Sequence, residues 1–306
     1  MDLTIDLVYL WVDGNDPKWI KKKNKFSGHI TNSSGRYQDN EELKYSLRSI
    51  EKHMPWIHKI YIITDQQIPP FLDISHPKIS IIDHKDIIPE KYLPTFNSVV
   101  IEYFVYRIPN LSEFFLMAND DTFVNQDIDS SFFFKDDLPV VRLMHKPLLK
   151  INLWIKRQIN LSINSYRLSI ENAYHLMEQK YGIFYPATPH HNIDAYRKSD
   201  FKNAVEQVFE VELKAIFLNR FRSNKDIQRI LLSYYILAEK RGSLTYVGRK
   251  ESCRIKAHKK VYQRYLTRYE PKLFCLNDSE KATDDDRKRI KPFLENLFPK
   301  KSSFEH

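Results

Sequence analysis

Four short apolar runs that end at acidic residues dominate the first half of the chain. The runs occupy positions 5–12, 59–65, 79–83 and 113–117, and the acidic residues at or just after their ends are Asp13, Asp65, Asp83, Asp120 and Asp121. Runs of this length, bounded by turn residues, are typical of buried strands. Because helix-like patterns separate several of them, the sequence predicts an α/β fold with a mostly parallel sheet and flanking helices.

The segment 116–123, Leu-Met-Ala-Asn-Asp-Asp-Thr-Phe, places two adjacent carboxylates after the fourth run. Parallel sheets bind their ligands beyond the carboxyl ends of the strands, which is where Asp120 and Asp121 are predicted to lie. Mg²⁺ or Mn²⁺ prefers carboxylate and phosphate oxygens, and needs only one or two protein carboxylates when a diphosphate supplies further ligands. The segment therefore predicts a metal site suited to a nucleotide-sugar, the alternative being a simple turn.

Composition excludes several classes of protein. The 306 residues are 42% hydrophobic, which suits one large domain or a core with an inserted lobe. No apolar run approaches the roughly 18 residues needed to cross a bilayer, and no basic region precedes the first run, so we expect a cytoplasmic protein. The glycine spacings contain neither a Rossmann fingerprint nor a P-loop, and Cys253 and Cys275 have no zinc-ligand spacing.

The formal charge of +9 indicates an anionic partner, which nucleic acid, an anionic membrane surface or a phosphorylated substrate would each satisfy. The lysine run at 21–23 lacks interleaved aromatic residues and suits a solvated surface, so nucleic acid is not expected. The amphipathic stretch 283–297 permits peripheral contact with the inner face of the plasma membrane, while packing on the core is its alternative. The basic side of that stretch carries Arg287, Lys288, Arg289 and Lys291.

The second half of the chain is predicted to be more helical. Its helix-like patterns cover 170–180, 193–209 and 224–240, while in the first half one pattern covers 98–107 and another begins from Asp39, with Glu42 placed as in a capping box. We expect a single catalytic domain over 1–306. Its parts are a nucleotide-sugar-binding α/β core over 1–145, a helical insert over 146–245, and a C-terminal return segment with a basic amphipathic helix over 246–306.

Three further polar segments carry residue types that suit phosphate chemistry. His190 and His191 lie in a proline-stiffened loop, and a histidine there can titrate near neutrality and protonate a leaving group or bind a phosphate. Arg222 precedes a predicted helix and could direct a two-pronged donor at a phosphate. Asn277 and Asp278 form a late Asn-Asp pair that could return to the metal or the substrate. Each segment alone also fits an inert surface or an ordinary ion pair.

Together these segments resemble the Stealth family of sugar-phosphate transferases, and the match covers most of the chain. The first similar block is 6–16, with Asp6, Trp11 and Gly14; the second runs from Arg36-Tyr-Gln-Asp39-Asn40 through Glu102 to Asn119-Asp120-Asp121. The third lies at 188–194 and 222–228, and the fourth at 275–278. One departure is Thr188 directly before Pro189, where relatives have the catalytic histidine before an x-Pro step, so the role falls to His190 or His191. The spacing to Ile193-Asp194 favours His191.

The resemblance implies a GT-A-like core, a UDP-sugar donor and a phosphotransferase that moves sugar-1-phosphate to a glycan or capsular polysaccharide with release of UMP. It implies Mg²⁺ or Mn²⁺ held by Asp120 and Asp121, with Asn277 or Asp278 as supplementary ligands. It assigns Arg36 and Arg222 to the diphosphate and His191 to the leaving UMP, as acid or charge stabiliser. Asp6, Trp11 and Gly14 are expected near the uridine, and Asn119 at the substrate. Asp39, Asn40 and Glu102 are candidates for sugar contacts or for the general base.

Three other classes of protein remain open on the sequence. A conventional GT-A glycosyltransferase would break the sugar C1–O bond and release UDP. A nucleic-acid-binding protein would explain the charge but leaves the carboxylate pair idle. A catalytically inactive scaffold would require the carboxylates, His191 and Arg222 all to be coincidental.

Overall fold

A computed structural model describes residues 3–28, 37, 39–159, 163–278 and 281–306. The strands are β1 Ile5–Leu10, β2 Ile60–Thr64, β3 Ile79–Asp83, β4 Phe114–Asn119, β5 Thr122–Val124, β6 Phe134–Lys135, β7 Leu138–His145, β8 Ala187–Pro189, β9 Asp194–Arg197, β10 Ser243–Tyr246, β11 Ser252–Lys256 and β12 Leu273–Asn277. The α-helices are α1 Pro17–Ser27, α2 Glu42–His53, α3 His84–Ile87, α4 Ser98–Glu102, α5 Leu149–Gln158, α6 Ser165–Tyr181, α7 Lys198–Asn203, α8 Glu210–Phe217, α9 Ile230–Ala238, α10 Tyr262–Tyr269, α11 Asp284–Arg287 and α12 Ile290–Leu297.

The main sheet has five strands in the order β3-β2-β1-β4-β9. Strands β1 to β4 are parallel, while β9 runs antiparallel to β4. The predicted mostly parallel α/β sheet is therefore confirmed. Asp13, Asp65, Asp83 and the Asp120-Asp121 pair all lie at or just beyond the carboxyl ends of these strands, because parallel strands in one sheet end along the same edge.

A three-stranded sheet adds the end of the chain to this edge. Strand β5, directly after Asp120 and Asp121, pairs antiparallel with β12, and β12 pairs in parallel with β11. The register sets Cys275 opposite Thr122 and Arg254 opposite Cys275. Strands β11 and β12 thus return the chain to the aspartate pair that follows the fourth parallel strand.

The predicted helices are only partly correct. The pattern at 170–180 lies within α6, whereas 98–107 contains the short helix α4 and a separate 3-10 turn, and 224–240 is helical only from Ile230 to Ala238. The prediction for 193–209 was wrong at its start, because Asp194–Arg197 forms β9 and the helix begins at Lys198. Pairing with β4 supplies this segment with backbone hydrogen bonds and overrides its local helical pattern.

The capping box expected at the start of α2 is also absent. The helix begins at Glu42 after Glu41 in a left-handed conformation (φ 64°) that offers no side-chain cap. Asp39 accepts a hydrogen bond from the Glu41 backbone N–H at 2.9 Å, and Glu42 accepts two from Asn40, at 2.6 and 2.7 Å. These carboxylates shape the turn before α2. Thr283 precedes α11, where its hydroxyl and the Asp286 carboxylate form a capping box.

The basic amphipathic stretch near the C-terminus packs on the core. Ile290 and Leu294 are buried in a cluster with Tyr45 and Phe123. Its cations face acidic side chains: Arg287 binds Asp278 and Asp284, Lys288 binds Asp285, and Lys291 binds Glu41. This is the core-packing alternative of the sequence prediction. Among the described helices, none is long and apolar enough to cross a membrane.

A buried ion pair fastens the C-terminus to α2. Arg48 donates from Nε and Nη2 to the two Glu305 carboxylate oxygens, at 2.7 Å each, and from Nη1 to the Phe298 carbonyl at 2.8 Å. Both side chains are nearly inaccessible, at 3% and 2%. This two-pronged contact holds the end of the chain against the face of α2.

We predict that Glu305→Gln destabilises the protein by about 3–5 kcal/mol, because it leaves the Arg48 charge buried and unpaired. Urea unfolding followed by circular dichroism measures the loss. The matched control is Glu210→Gln, which removes one partner of an exposed pair with Lys214 and should cost about 0.5 kcal/mol or less. Equal losses in the two variants would contradict the structural importance of the Arg48–Glu305 pair.

Candidate active site

A cleft of about 170 Å³ lies at the carboxyl edge of the main sheet. Its walls combine residues that are far apart in the sequence: Glu102 and Asn119 from the first half, His191 and Arg222 from the middle, and Asn277 near the end. These five were all predicted as site residues, and the structure brings them together. The remaining lining includes Tyr166, Asn192, Asp194, Asp226, Gln228 and Arg229.

The acidic side of the site is the pair Asp120 and Asp121, which follow β4 directly. Burial raises the pKa of Asp120 well above its ordinary value, and the negative charges of Asp121, Glu42 and Asp39 raise it further. Burial also raises the pKa of Asp121, against hydrogen bonds from Cys275 and Asn277 and the nearby charge of Arg254. Carboxylates crowded in this way repel one another, so the site has an excess of negative charge that a cation would offset.

Strand β12 holds Asp121 in place. The Leu276 backbone N–H donates to the Asp121 carbonyl at 2.9 Å, and the Cys275 thiol donates to Asp121 Oδ2 at 3.2 Å. The other oxygen, Oδ1, is buried and has no hydrogen-bond partner. Asn277, at the end of β12, is close enough to lower the pKa of Asp121, so it lies beside the aspartate pair as the sequence predicted.

Asp278 does not share this position. Its carboxylate is paired with Arg287, whose Nε donates to Oδ2 at 2.8 Å and whose Nη2 donates to Oδ1 at 3.4 Å. Asp278 is not part of the cleft lining. An arginine that neutralises both oxygens makes a carboxylate a poor cation ligand, and the structure therefore corrects the prediction that Asp278 joins Asp120 and Asp121 at the metal.

A second group of carboxylates lies next to Asp120. Burial is the main cause that raises the pKa of Asp39 to about 6, and the charges of Asp13 and Glu41 contribute. Burial likewise raises the pKa of Glu42 to about 8, although two hydrogen bonds from Asn40 oppose it. The Trp11 indole N–H is buried beside Asp39 without a well-formed hydrogen bond.

Gly14 has a steric function at this edge. Its backbone N–H donates to the Tyr37 carbonyl at 2.9 Å, and a Cβ at this position would lie 2.0 Å from that same oxygen. Only glycine permits the approach. The contact brings the loop after β1 against the turn that contains Asp39 and Asn40, so Gly14 supports the site through the backbone.

The two histidines have different surroundings. His190 is buried, with Nδ1 2.9 Å from the Ser252 hydroxyl and Nε2 3.1 Å from Asp194 Oδ1. His191 adopts a left-handed backbone conformation (φ 58°), lines the cleft and stacks obliquely against Tyr166. His190 and His191 lie between β8 and β9, whereas the helix predicted over 193–209 would have begun shortly after them. The structure thus directs His191 to the cleft and gives His190 a buried structural position.

His191 is held in its neutral form. Burial lowers its pKa to about 3, and the charge of Arg254 lowers it further. Arg254 Nη1 lies 2.7 Å from His191 Nε2. Because a guanidinium can only donate, Nε2 must accept, and the ring proton belongs on Nδ1. This neutral imidazole cannot act as an acid in the free protein, which opposes the acid role considered from the sequence and leaves charge stabilisation.

A buried ion network joins the base of the cleft. Arg229 Nη2 donates to Asp194 Oδ2 at 2.9 Å, and Arg229 Nη1 lies 3.5 Å from Glu102 Oε2. Burial acts to raise the pKa of Asp194, but hydrogen bonds and charges from His190 and Arg229 outweigh it and lower the pKa. The network ties α4, β9 and α9 together and orients Glu102 toward the cleft.

Arg222 is positioned by a compact loop. Asp226 accepts hydrogen bonds from Asn97 Nδ2 at 2.9 Å, Asn219 Nδ2 at 2.8 Å and the Ser223 backbone N–H at 2.9 Å. Arg222 itself donates from Nη2 to the Ser98 hydroxyl at 2.8 Å. The start of α4 thereby fixes the arginine at the cleft wall, and the helix predicted directly after it begins only at Ile230.

Asp6 lies away from the site in this structure. Asp6 lies near the beginning of β1, at the opposite end of the strand, where its oxygens contact His58 Nδ1 at 2.8 Å and the Ser112 backbone N–H at 2.7 Å. It therefore anchors the loop before β4, and its predicted place near the uridine is corrected. Arg36 lies outside the described residues.

Sequence reasoning missed three residues at the cleft: Arg229, Arg254 and Tyr166. Arg229 was detectable as a cation between apolar Ile227 and Ile230, where burial demands a partner. Arg254 faces outward from β11 and gave no local signal. The Tyr166 hydroxyl is buried without a hydrogen-bond partner, and its nearest charges include Arg254, Glu102, Arg229 and Arg222.

The donor atoms at the aspartate pair are compatible with a hard divalent cation. Asp120, Asp121 and the Asn277 carboxamide offer oxygen atoms, one Asp121 oxygen is buried without a partner, and the local charge is negative. Over the described part of the chain, no group of three or more His, Cys, Asp or Glu side chains is arranged to hold a metal ion by itself. Such a site would need substrate oxygens or water as further ligands.

Comparison with known families gives three matches along the chain. A model described as Stealth protein conserved region 1 matches residues 4–31, conserved region 2 matches 36–141, and conserved region 4 matches 265–306. The second of these regions contains Glu102, Asn119, Asp120 and Asp121, and the last contains Asn277. The matched regions therefore include the acidic side of the cleft.

Two curated relatives are similar to this chain over almost their whole length. Capsular polysaccharide phosphotransferase WcwK of Streptococcus pneumoniae is 32% identical over 98% of this chain and 98% of that protein. Exopolysaccharide phosphotransferase cps2G of Lactiplantibacillus plantarum is 32% identical over 98% and 96%. Among solved structures, galactosyltransferase LgtC with donor and acceptor sugar analogues is 12% identical, with a TM-score of 0.49 over 97% of this chain and 96% of that one.

We predict that His191 stays neutral down to about pH 4 in the free protein, and that Arg254→Gln raises its pKa because the substitution removes a cation next to Nε2. Long-range ¹H–¹⁵N spectra of the histidine side chains measure both the tautomer and the titration. Arg264→Gln, at an exposed position on α10, is the control and should leave His191 unchanged. A wild-type His191 that titrates near its ordinary value would contradict the arrangement.

Proposed function

The chain belongs to the Stealth family of capsular and exopolysaccharide phosphotransferases, and from this premise we propose that it moves a hexose-1-phosphate or N-acetylhexosamine-1-phosphate from a UDP-sugar to a glycan hydroxyl. UMP is the second product. The acceptor is a capsular or exopolysaccharide chain. The activity is that of a phosphotransferase.

One observation carries this proposal: basic side chains gather next to the buried Asp120–Asp121 pair. Arg222, Arg229 and His191 line the cleft together with Asn119 and Asn277. Arg254 contacts His191 and is close enough to Asp121 to lower its pKa. A diphosphate with a bound cation presents a matching combination of charges, since its oxygens suit arginine donors and its metal suits carboxylates. Neither a nucleic-acid surface nor an inactive scaffold accounts for both the carboxylates and the arginines.

All three predicted segments of the chain contribute to this cleft. Asn119 belongs to 1–145, Arg222 to 146–245 and Asn277 to 246–306. The main hydrophobic cluster also draws residues from the first two segments, from Val8 to Ile236. These observations support the proposal that residues 1–306 act as one catalytic domain.

In the proposed reaction the acceptor hydroxyl oxygen attacks the β-phosphorus of the donor. A new phosphorus–oxygen bond forms, and the bond from the β-phosphorus to the bridging oxygen breaks, so that UMP leaves with the bonding electron pair. The hydroxyl proton passes to a carboxylate. Glu102 in the cleft wall and Asp39, whose pKa of about 6 suits proton transfer near neutrality, are the two candidates.

The basic side chains of the cleft stabilise negative charge as it shifts from the β-phosphate to the leaving group. Arg222 is pre-positioned by Ser98 and offers a planar two-pronged donor. Arg254 is held by the neutral His191 ring, so we assign His191 to orienting Arg254 and stabilising charge at the leaving UMP. The unpartnered Tyr166 hydroxyl would donate to a phosphate or sugar oxygen. Such chemistry depends mainly on positioning and electrostatics.

We propose that Asp120, Asp121 and Asn277 hold Mg²⁺ or Mn²⁺ together with the donor. The cation would neutralise diphosphate charge and so favour departure of UMP. The fold positions the carboxylates before the cation binds, because β12 fixes Asp121 and the turn before α2 keeps Glu42 and Asp39 close to Asp120. Trp11 and the backbone held by Gly14 border this region, and we keep them as contacts for the uridine.

We predict that Asp121→Asn lowers turnover by about 100-fold or more, because it removes a charge that holds the cation while it preserves the shape of the side chain. Mn²⁺ should raise the melting temperature of the wild-type protein and have no effect on the variant. Asp127→Asn, at an exposed carboxylate that contacts His53, is the matched control. Turnover that survives complete chelation with EDTA would refute the metal assignment.

The identity of the nucleotide product tests the proposed function itself. With a UDP-hexose or UDP-N-acetylhexosamine and a glycan acceptor, we expect UMP in solution and a phosphodiester signal in the polymer by ³¹P NMR. A conventional glycosyltransferase would give UDP and a glycan without phosphorus. That second result would refute sugar-phosphate transfer while it left the cleft and the metal prediction intact.

A further inference from the structure

Helix α5 exposes an apolar face that is left uncovered by the residues the structure describes. The face consists of Leu148, Ile151, Trp154, Ile155 and Ile159, and between 43% and 64% of each residue is accessible. Their spacings of three and four positions place them side by side on a helix. Single exposed apolar residues are ordinary on a protein surface, but a contiguous row with a tryptophan indicates a site of interaction.

The helix is fastened to the protein by its other side. Leu153 is buried in the main hydrophobic cluster and Leu149 packs against it. Helical hydrogen bonds extend the ends, from Asn152 N–H to the Leu148 carbonyl at 2.9 Å and from Ile159 N–H to the Ile155 carbonyl at 3.1 Å. The exposed row is therefore held outward by packing, on a regular backbone.

The sequence segment that contains this face carries basic residues and no acidic ones. From position 138 to position 170 the sequence contains no aspartate or glutamate, and its basic residues are Arg142, Lys146, Lys150, Lys156, Arg157 and Arg167. Lys150 reaches Glu178 on α6. Two shorter stretches, 17–38 and 252–269, also lack carboxylates, so the segment that contains α5 is distinguished by being the longest of the three.

We propose that the α5 apolar face docks on an anionic lipid bilayer, with the helix lying in the plane of the interface. An interfacial helix combines an apolar face that contains tryptophan with flanking lysine and arginine, which interact with acidic headgroups. A second copy of the chain is a poorer occupant. It carries the same formal charge of +9, so two basic faces would repel each other on contact.

This surface differs from the stretch 283–297 that the sequence suggested for membrane contact. There, Ile290 and Leu294 are buried and the neighbouring cations are paired with acids. On α5 the apolar side chains are the exposed ones. The proposal does not depend on the reaction catalysed in the cleft, although α6, which follows, contributes Ser165 and Tyr166 to the cleft wall.

Flotation of the full chain with vesicles tests the proposal. We expect binding to vesicles of equimolar phosphatidylcholine and phosphatidylglycerol, weaker binding to phosphatidylcholine alone, and loss of binding in high salt. The triple variant Ile151→Ser, Trp154→Ser, Ile155→Ser should lower the affinity about tenfold or more, because binding strength scales with the apolar area buried. Since these side chains are exposed, its melting temperature should match that of the wild type.

A matched control removes the same kind of surface elsewhere. Val211→Ser with Leu218→Ser and Ile74→Ser changes three exposed apolar positions outside α5 and should preserve vesicle binding. Quenching of Trp154 fluorescence by brominated lipid, lost in Trp154→Phe, would locate the contact on the helix. Absence of wild-type binding, or equal binding by the α5 triple variant, would overturn the proposal. So would self-association that the triple substitution abolishes in the absence of vesicle binding.

Discussion

The pairing of β12 with β5 is the contact on which the rest of the site depends. It joins residues about 150 positions apart, and through the Leu276 N–H and the Cys275 thiol it fixes both the backbone and the side chain of Asp121. The same pairing brings β11 alongside, so that Arg254 reaches His191. Without this return of the chain, the aspartate pair would lie beyond β4 without a fixed backbone or side-chain partner. Arg254 would also not lie beside His191.

The charged groups of the cleft suit a substrate that carries both a cation and a phosphate. Burial and mutual repulsion raise the pKa values of Asp120, Asp39 and Glu42, so that ionising all three carboxyl groups together is costly. In the same region, burial and the charge of Arg254 lower the pKa of His191. A cation and a phosphate would supply the missing charges on the two sides. The cation and the phosphate therefore bind favourably together, because each compensates charged or neutralised groups whose burial costs free energy in the empty cleft.

Arg229 and Asp194 explain why the middle of the chain must fold with the sheet. Asp194 opens β9, the antiparallel strand at the edge of the main sheet, and it contacts both His190 and Arg229. Arg229 in turn approaches Glu102 on α4. Removing either charge would leave another charge buried and unpaired. Such networks therefore favour one arrangement of the neighbouring elements.

The sequence by itself determined the parallel strands and the acidic residues at their carboxyl ends, because both follow from local apolar runs and from chain direction. It also brought Glu102, Asn119, His191, Arg222 and Asn277 into one expected site through resemblance to a family. Tertiary structure decided what each residue contacts. It made Asp194–Arg197 a strand, gave Asp278 to Arg287 and Asp6 to the far end of β1, and supplied Arg229 and Arg254. Those outcomes depend on partners far away in the chain, and no local pattern of residues predicts which distant residue the partner will be.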